Sequence, residues 1–76
     1  MENRLENLRE LAKEVNLDLF YSINLFNGMA ISLQGKASQE TLKEISGYCD
    51  DLKLQNSNLE GFFEYKGTDY RVILTF

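Results

Sequence analysis

The chain has 76 residues, of which 43% are hydrophobic and 26% are charged, with a net charge of −4, one cysteine and no histidine. This composition is typical of a globular protein, and the length predicts a single domain over residues 1–76. A lone Cys49 forms no internal disulfide, and the lack of histidine removes the commonest zinc ligand and the commonest general base. We therefore expect no metal, no cofactor and no enzymatic activity.

Charge and hydropathy also bear on location and partners. The first residues resemble no signal peptide, and no apolar run approaches the ~18 residues of a membrane span. We expect a cytoplasmic protein without membrane contact. A phosphate backbone requires a basic patch, so an acidic chain favours a protein partner over nucleic acid. A single core of this size is worth only a few kcal/mol, which favours self-association as a homodimer.

The first predicted element is an amphipathic helix over residues 3–15. Its apolar stripe recurs at helical spacing and comprises Leu5, Leu8, Leu11, Ala12 and Val15. Asn16 is the expected stop. A stripe of this width predicts that the helix covers a core.

Residues 18–35 predict a β-hairpin around Asn27-Gly28. A three-residue loop over 26–28 pairs Leu25 with Met29 and gathers the apolar side chains on one face. That face comprises Leu19, Tyr21, Ile23, Leu25, Met29, Ile31 and Leu33.

Residues 38–53 predict a second helix with Ser38 as its N-cap. Its apolar stripe comprises Leu42, Ile45, Cys49 and Leu52, and a polar loop over 54–58 follows. Cys49 beside two aspartates is expected to be a buried small hydrophobe and not a reactive thiol.

Residues 59–76 predict a second hairpin with a two-residue Gly67-Thr68 turn. This register places Glu64 opposite Arg71 and Lys66 opposite Asp69, so that opposite charges face each other. The core face then comprises Leu59, Gly61, Phe63, Tyr65, Tyr70, Val72, Leu74 and Phe76.

The element order predicts an α+β fold. We expect a two-layer αββαββ sandwich, in which a four-stranded sheet carries both helices on one face. A circularly permuted ferredoxin-like topology, with the second and fourth strands central, is one arrangement of this kind.

Two surfaces are candidate binding sites. Four glutamates form an acidic ridge at i, i+4 spacing on the first helix, namely Glu2, Glu6, Glu10 and Glu14. The second candidate is the sheet face turned away from the helices, whose exposed interface residues are Phe20, Phe62, Ile73 and Arg71. The ordinary interpretations are a solvated helix face and a cross-strand pair that stabilises the sheet locally.

These features predict a small acidic, non-catalytic protein-interaction module. It acts as an inhibitor, adaptor or immunity-type factor by occupying a partner's surface, for which the ridge suggests a basic partner. The alternative is a small-molecule sensor or sequestering protein. Its pocket would lie between helices and sheet or at a dimer junction, with tyrosine hydroxyls as polar contacts.

Overall fold

A computed structural model of the chain describes residues 3–25 and 29–76. Within these ranges the protein is a small α+β domain with two helices and a five-stranded mixed sheet. The elements in chain order are α1 (Arg4–Ala12), a 3₁₀ turn (Leu17–Leu19), β1 (Phe20–Asn24), β2 (Ile31–Lys36), α2 (Gln39–Ile45), β3 (Lys53–Gln55), β4 (Asn58–Tyr65) and β5 (Thr68–Thr75).

The strand order in the sheet is β1-β2-β5-β4-β3. The pair β2 and β5 is parallel, and the other neighbours are antiparallel. Strands β2, β5 and β4 lie inside the sheet, and β1 and β3 form its edges. The expected count of four strands is wrong, because the edge strand β3 forms where the predicted helix 38–53 meets the predicted polar loop 54–58.

Strand β3 pairs with β4 through a two-residue turn. Asn56 and Ser57 in this turn have φ values of 49° and 69°. Two consecutive left-handed residues define a type I′ turn, whose twist matches that of antiparallel strands. The turn therefore continues the sheet where polar composition alone favoured a loop.

One hydrophobic core lies between the sheet and the two helices. Its buried side chains are Leu11, Val15, Phe20, Ile31, Leu33, Ile45, Cys49, Phe63, Tyr65, Tyr70, Val72 and Leu74. Since α1, α2 and the sheet all contribute to this cluster, both helices cover the same face of the sheet. The opposite face, which we call the outer face, carries no helix among the described residues.

Both helices end earlier than the sequence suggested. Ser38 caps α2, and its hydroxyl accepts a hydrogen bond from the Thr41 amide at 3.2 Å. Helix α2 then ends at Ile45, close to Gly47, whose helix propensity is poor. Helix α1 also differs at its start, because Leu5 is 55% exposed while polar Asn7 is buried.

Next to their turns, both hairpins depart from their expected registers by two residues. Asn24 pairs with Ser32, where the predicted register placed Asn24 opposite Ala30. Glu64 pairs with Asp69, so the expected Glu64–Arg71 pair does not form. A slip of two residues leaves every side chain on its original face, whereas a slip of one would reverse the faces. The predicted loop 26–28 lies outside the described residues.

The conformation of the turn between β4 and β5 accounts for the register of this hairpin. Lys66 and Gly67 both have positive φ, at 48° and 86°. The turn is therefore type I′ at residues 66–67, in place of the expected type II′ turn at 67–68. Tyr65 consequently pairs with Thr68.

Candidate functional site: the outer face of the sheet

The outer face presents alternate side chains of each strand to solvent. On β4 and β5 the inward positions are buried, so the outward positions are Asn58, Glu60, Phe62, Glu64, Asp69, Arg71, Ile73 and Thr75. Phe62 is 58% exposed there, and Ile73 is half-buried. The predicted placement of Phe62, Ile73 and Arg71 on this face is correct.

The predicted placement of Phe20 on the outer face is wrong. Phe20 is only 7% exposed and belongs to the core. The register of β1 against β2 shifts between Phe20 and Ser22, which leaves Tyr21 as an extra residue in a β-bulge. Tyr21 is 61% exposed, and its hydroxyl lies 3.3 Å from the Thr75 Oγ1 atom of the outer face. Tyr21 therefore takes the place that the alternation pattern gave to Phe20.

The sequence holds one signal for this reversal, namely Gly35 inside β2. Gly35 is the strand partner of Phe20. A Cβ atom at position 35 would lie 3.1 Å from Phe20 Cδ1 and 3.1 Å from the Leu19 carbonyl oxygen. Glycine inside a strand often marks a bulge or a close approach of this kind.

Phe62 lies beside an ion pair at the centre of the outer face. Its strand partner is Arg71, and the Arg71 guanidinium carbon lies 6.0 Å from the Phe62 ring centroid. Arg71 Nη2 donates to Glu60 Oε1 at 2.6 Å. Arg71 Nε is buried and has no hydrogen-bond partner among the described residues. The centre of the face thus combines an exposed ring with a charge pair that is internally neutralised.

The remaining charges of the outer face separate toward its two ends. Glu64 and Asp69 pair with each other across β4 and β5, next to the 66–67 turn. Lys53 lies opposite Glu60, and Lys36 lies beside Thr75 toward the other end of the sheet. One end of the face therefore carries the two carboxylates, the other end carries Lys36, and Lys53 lies between Lys36's end and the centre, beside Glu60.

The predicted acidic ridge is largely occupied by contacts within the chain. Glu2 lies outside the described residues. Glu6 lies 3.9 Å from Arg9, and Glu10 lies 3.5 Å from Lys66. Glu14 accepts hydrogen bonds from tyrosine hydroxyls. The described part of the ridge is thus not a row of unpaired carboxylates.

Glu14 joins the end of α1 to two other elements. The Tyr48 hydroxyl donates to Glu14 Oε1 at 2.8 Å, and the Tyr65 hydroxyl donates to Glu14 Oε2. The hydrogen bonds from Tyr65 and Tyr48 hold the pKa of Glu14 below its ordinary value. The same contact raises the pKa of Tyr65 to about 12, because the carboxylate favours the protonated hydroxyl. The cluster is an anchor and not an acid–base pair poised near neutral pH.

A second polar cluster, which the sequence pattern did not indicate, lies deeper under α1. The Tyr70 hydroxyl donates to Asn7 Oδ1, and Asn7 Nδ2 donates to the Tyr65 carbonyl oxygen at 2.9 Å. Burial raises the pKa of Tyr70 to about 12. Both partners of each bond are inside the protein, as buried polar groups require. These contacts fix α1 against the turn between β4 and β5.

Cys49 contacts Asp51, whose side chain binds the edge of β4. Its Sγ atom lies 3.2 Å from Asp51 Oδ1, and the same oxygen accepts from the Phe62 amide at 3.2 Å. Burial, followed by the hydrogen bond to Asp51, raises the pKa of the Cys49 thiol to about 11. The thiol is therefore protonated at neutral pH and is a poor nucleophile. Asp51, held by Cys49, thus accepts a hydrogen bond from the β4 edge at Phe62, beyond the point where β3 stops pairing with β4.

Three further features of the described residues bear on metal binding, ligand binding and membrane crossing. Within 3–25 and 29–76, no group of three or more His, Cys, Asp or Glu side chains is placed to hold a metal ion. A surface concavity of ≈ 570 Å³ is lined by Gln39, Glu40 and Lys43, which provide no aromatic wall for an apolar ligand. No described helix has the length and apolar character to cross a membrane.

Comparison of the chain with protein-family models, with curated proteins and with solved structures finds no match. The outer face therefore stands as the candidate functional site on its own geometry.

Proposed function

We propose that the chain is a small, non-catalytic protein-interaction module that acts by occupying a partner protein's surface through the outer face of its sheet. One observation carries the proposal. Phe62 and Tyr21 are 58% and 61% exposed on a face that no described helix covers, with Ile73 between them on β5. Contiguous exposed apolar groups with polar neighbours are typical of protein contact sites, and aromatic residues are enriched there.

The titratable groups support a role without catalysis. A general acid or base works best when its pKa lies near the operating pH. The pKa of Glu14 and that of Asp51 are lowered by hydrogen bonds, from Tyr65 and from Cys49 respectively. The pKa of the Cys49 thiol is raised to about 11. These shifts move the pKa of each group away from neutrality, so none of the three groups is tuned for proton transfer near neutral pH. An inhibitor, an adaptor or an immunity-type factor needs no proton transfer.

The alternative, a small-molecule sensor, has less support. In this alternative, tyrosine hydroxyls supply the polar contacts to the ligand. All four tyrosine hydroxyls have partners within the chain, as Tyr48 and Tyr65 contact Glu14, Tyr70 contacts Asn7 and Tyr21 contacts Thr75. A ligand would have to displace these bonds without receiving an unused donor in return.

The topology of the sheet is also consistent with binding through the outer face. We infer that α1, β1, β2, α2, β4 and β5 form a circularly permuted ferredoxin-like arrangement to which β3 adds an edge. The order β1-β2-β5-β4 with a parallel central pair supports this description. Such a sheet leaves one broad face free of helices, which is the face proposed to bind.

A photo-crosslinking experiment tests the proposed function. Benzoylphenylalanine replaces Phe62 in one sample and Leu54 in a matched control. Leu54 is 68% exposed but is the strand partner of Leu59, on the face opposite Phe62. After illumination in the producing cells, mass spectrometry identifies covalent protein adducts. We expect discrete adducts at position 62 and none at position 54. No adduct at 62, or the same adducts at both positions, overturns the proposal.

A further inference from the structure

We propose that the outer face receives a second copy of this chain, stacked sheet on sheet with the strand directions reversed. This inference rests on the proposed function, since it names the partner of the same face. The two protomers form an isologous dimer, in which both copies use the same surface and are related by a two-fold axis. The distribution of charge on the outer face indicates that its partner is a second copy of the chain.

The outer face is electrically balanced although the chain is not. Its strand positions carry three carboxylates and three cationic groups, which are Glu60, Glu64, Asp69, Lys36, Lys53 and Arg71. The whole chain carries a net charge of −4, so all of the excess negative charge lies on other surfaces. Two identical acidic proteins repel each other. On the outer face two copies can meet without an excess of negative charge.

The positions of these charges determine the relative orientation. Arg71 and Glu60 neutralise each other at the centre through their 2.6 Å contact. Glu64 and Asp69 remain at one end of the face, and Lys36 and Lys53 remain toward the other. A second copy with its strands reversed places its lysine end over the carboxylate end of the first copy. A copy in the same direction would place carboxylates over carboxylates, which is unfavourable.

The apolar centre is compatible with the same orientation. Phe62 and Tyr21 project from the outer face beside the half-buried Ile73, and most of the other side chains on this face are polar or charged. Sheets that pack face to face keep their strands within about 30° of parallel or antiparallel alignment, with side chains filling a layer about 10 Å thick. The two aromatic rings and Ile73 of each copy would supply that layer, and the charged ends would form its polar rim.

Sedimentation equilibrium of the purified chain tests the inference with two charge variants. Variant A carries Glu64→Lys and Asp69→Lys, so both ends of its face are basic. Variant B carries Lys36→Glu and Lys53→Glu, so both ends are acidic. We expect the wild type to dimerise and each variant alone to dimerise at least about tenfold more weakly, since like charges now meet at both ends. An equimolar mixture of A and B should restore a heterodimer.

A second series tests the apolar centre. Phe62→Glu and the milder Phe62→Ser should both give monomers, while Leu54→Glu on the other face should leave the dimer unchanged. Circular dichroism checks that each variant is folded. A monomeric wild type at millimolar concentration, charge variants that dimerise as tightly as the wild type, or a dimeric Phe62→Ser each overturn the inference. Crosslinks from position 62 to a different protein, with a monomeric wild type, would reject the second copy while preserving the proposed function.

Discussion

The Tyr70 hydroxyl donates a hydrogen bond to Asn7 Oδ1 inside the protein, between residues 63 positions apart in the sequence. Tyr70 is fully buried in β5, and Asn7 is buried in α1. Because Asn7 also donates to the Tyr65 carbonyl oxygen, this one amide side chain connects the first helix to the last two strands. The contact holds α1 over the sheet and leaves the outer face uncovered.

Removing either partner of this hydrogen bond should destabilise the protein. Asn7→Ala leaves the buried Tyr70 hydroxyl without a partner and removes a hydrogen bond to the Tyr65 carbonyl, so we expect a loss of about 2–3 kcal/mol in the free energy of unfolding. Tyr70→Phe should cost about 1–2 kcal/mol. Urea denaturation measures both. In a double-mutant cycle the two losses should not add, whereas additive losses would mean that the residues do not interact.

The Glu14 cluster should make stability depend on acidic pH. Hydrogen bonds from Tyr65 and Tyr48 lower the pKa of Glu14 in the folded protein relative to the unfolded chain. The resulting stabilisation is complete above the unfolded pKa and disappears as the pH falls through the folded pKa. Glu14→Gln should therefore flatten the decline in unfolding free energy below about pH 4.5. Urea denaturation at a series of pH values provides the measurement.

Two tyrosine variants control this experiment. Tyr65→Phe removes a donor to Glu14 and should also flatten the acid dependence. Tyr21→Phe removes a hydroxyl that contacts Thr75 instead, and it should keep the wild-type dependence. An unchanged acid slope in Glu14→Gln would show that this carboxylate is not held by the tyrosines in solution.

Gly61 and Gly47 should respond in opposite directions to alanine. A Cβ at position 61 would lie 2.6 Å from Cys49 Sγ and 2.8 Å from Asp51 Oδ1, whereas a Cβ at position 47 meets nothing within 4 Å. Gly61→Ala should cost about 1–3 kcal/mol through overpacking. Gly47→Ala should be neutral or stabilise by up to about 1 kcal/mol, because it restricts the unfolded chain. Thermal or urea unfolding distinguishes them, and equal effects would contradict the packing described around Cys49.

The β3–β4 turn offers a stabilising substitution. Ser57 has a φ of 69°, a left-handed conformation that favours glycine. Ser57→Gly should raise the free energy of unfolding by about 0.5–1 kcal/mol. Asn56→Gly is the matched control and should gain less, because asparagine already tolerates this conformation. A destabilised Ser57→Gly variant would argue against the type I′ turn and the edge strand that depends on it.

The alternation of apolar residues was sufficient to predict most of the sheet. It identified the buried faces of β2, β4 and β5, and these assignments survived register errors because each slip was an even number of residues. The turn residues were harder to assign. Left-handed Lys66, Asn56 and Ser57 are non-glycine residues, and sequence-based turn preferences favour glycine at such positions.

Three side chains that the sequence pattern misplaced have identifiable physical reasons for their positions. A β-bulge exchanges the roles of Phe20 and Tyr21, and no alternation pattern contains such an extra residue. Asn7 is polar but buried because Tyr70, far away in sequence, supplies its partner. The i, i+4 spacing groups Glu14 with an exposed ridge, because the tyrosines that donate hydrogen bonds to it come from other elements. Each depends on tertiary contacts that one segment of sequence does not display.

The central claim is that the outer face is covered by a protein in solution, and nuclear magnetic resonance with a soluble paramagnetic probe tests it most directly. Phe62 and Leu54 are 58% and 68% exposed on opposite faces of a single chain, so the probe should broaden both signals alike in a monomer. We expect the Leu54 methyl signals to broaden while the Phe62 ring signals are protected. Equal broadening of both residues at concentrations where the protein should be dimeric would contradict the claim.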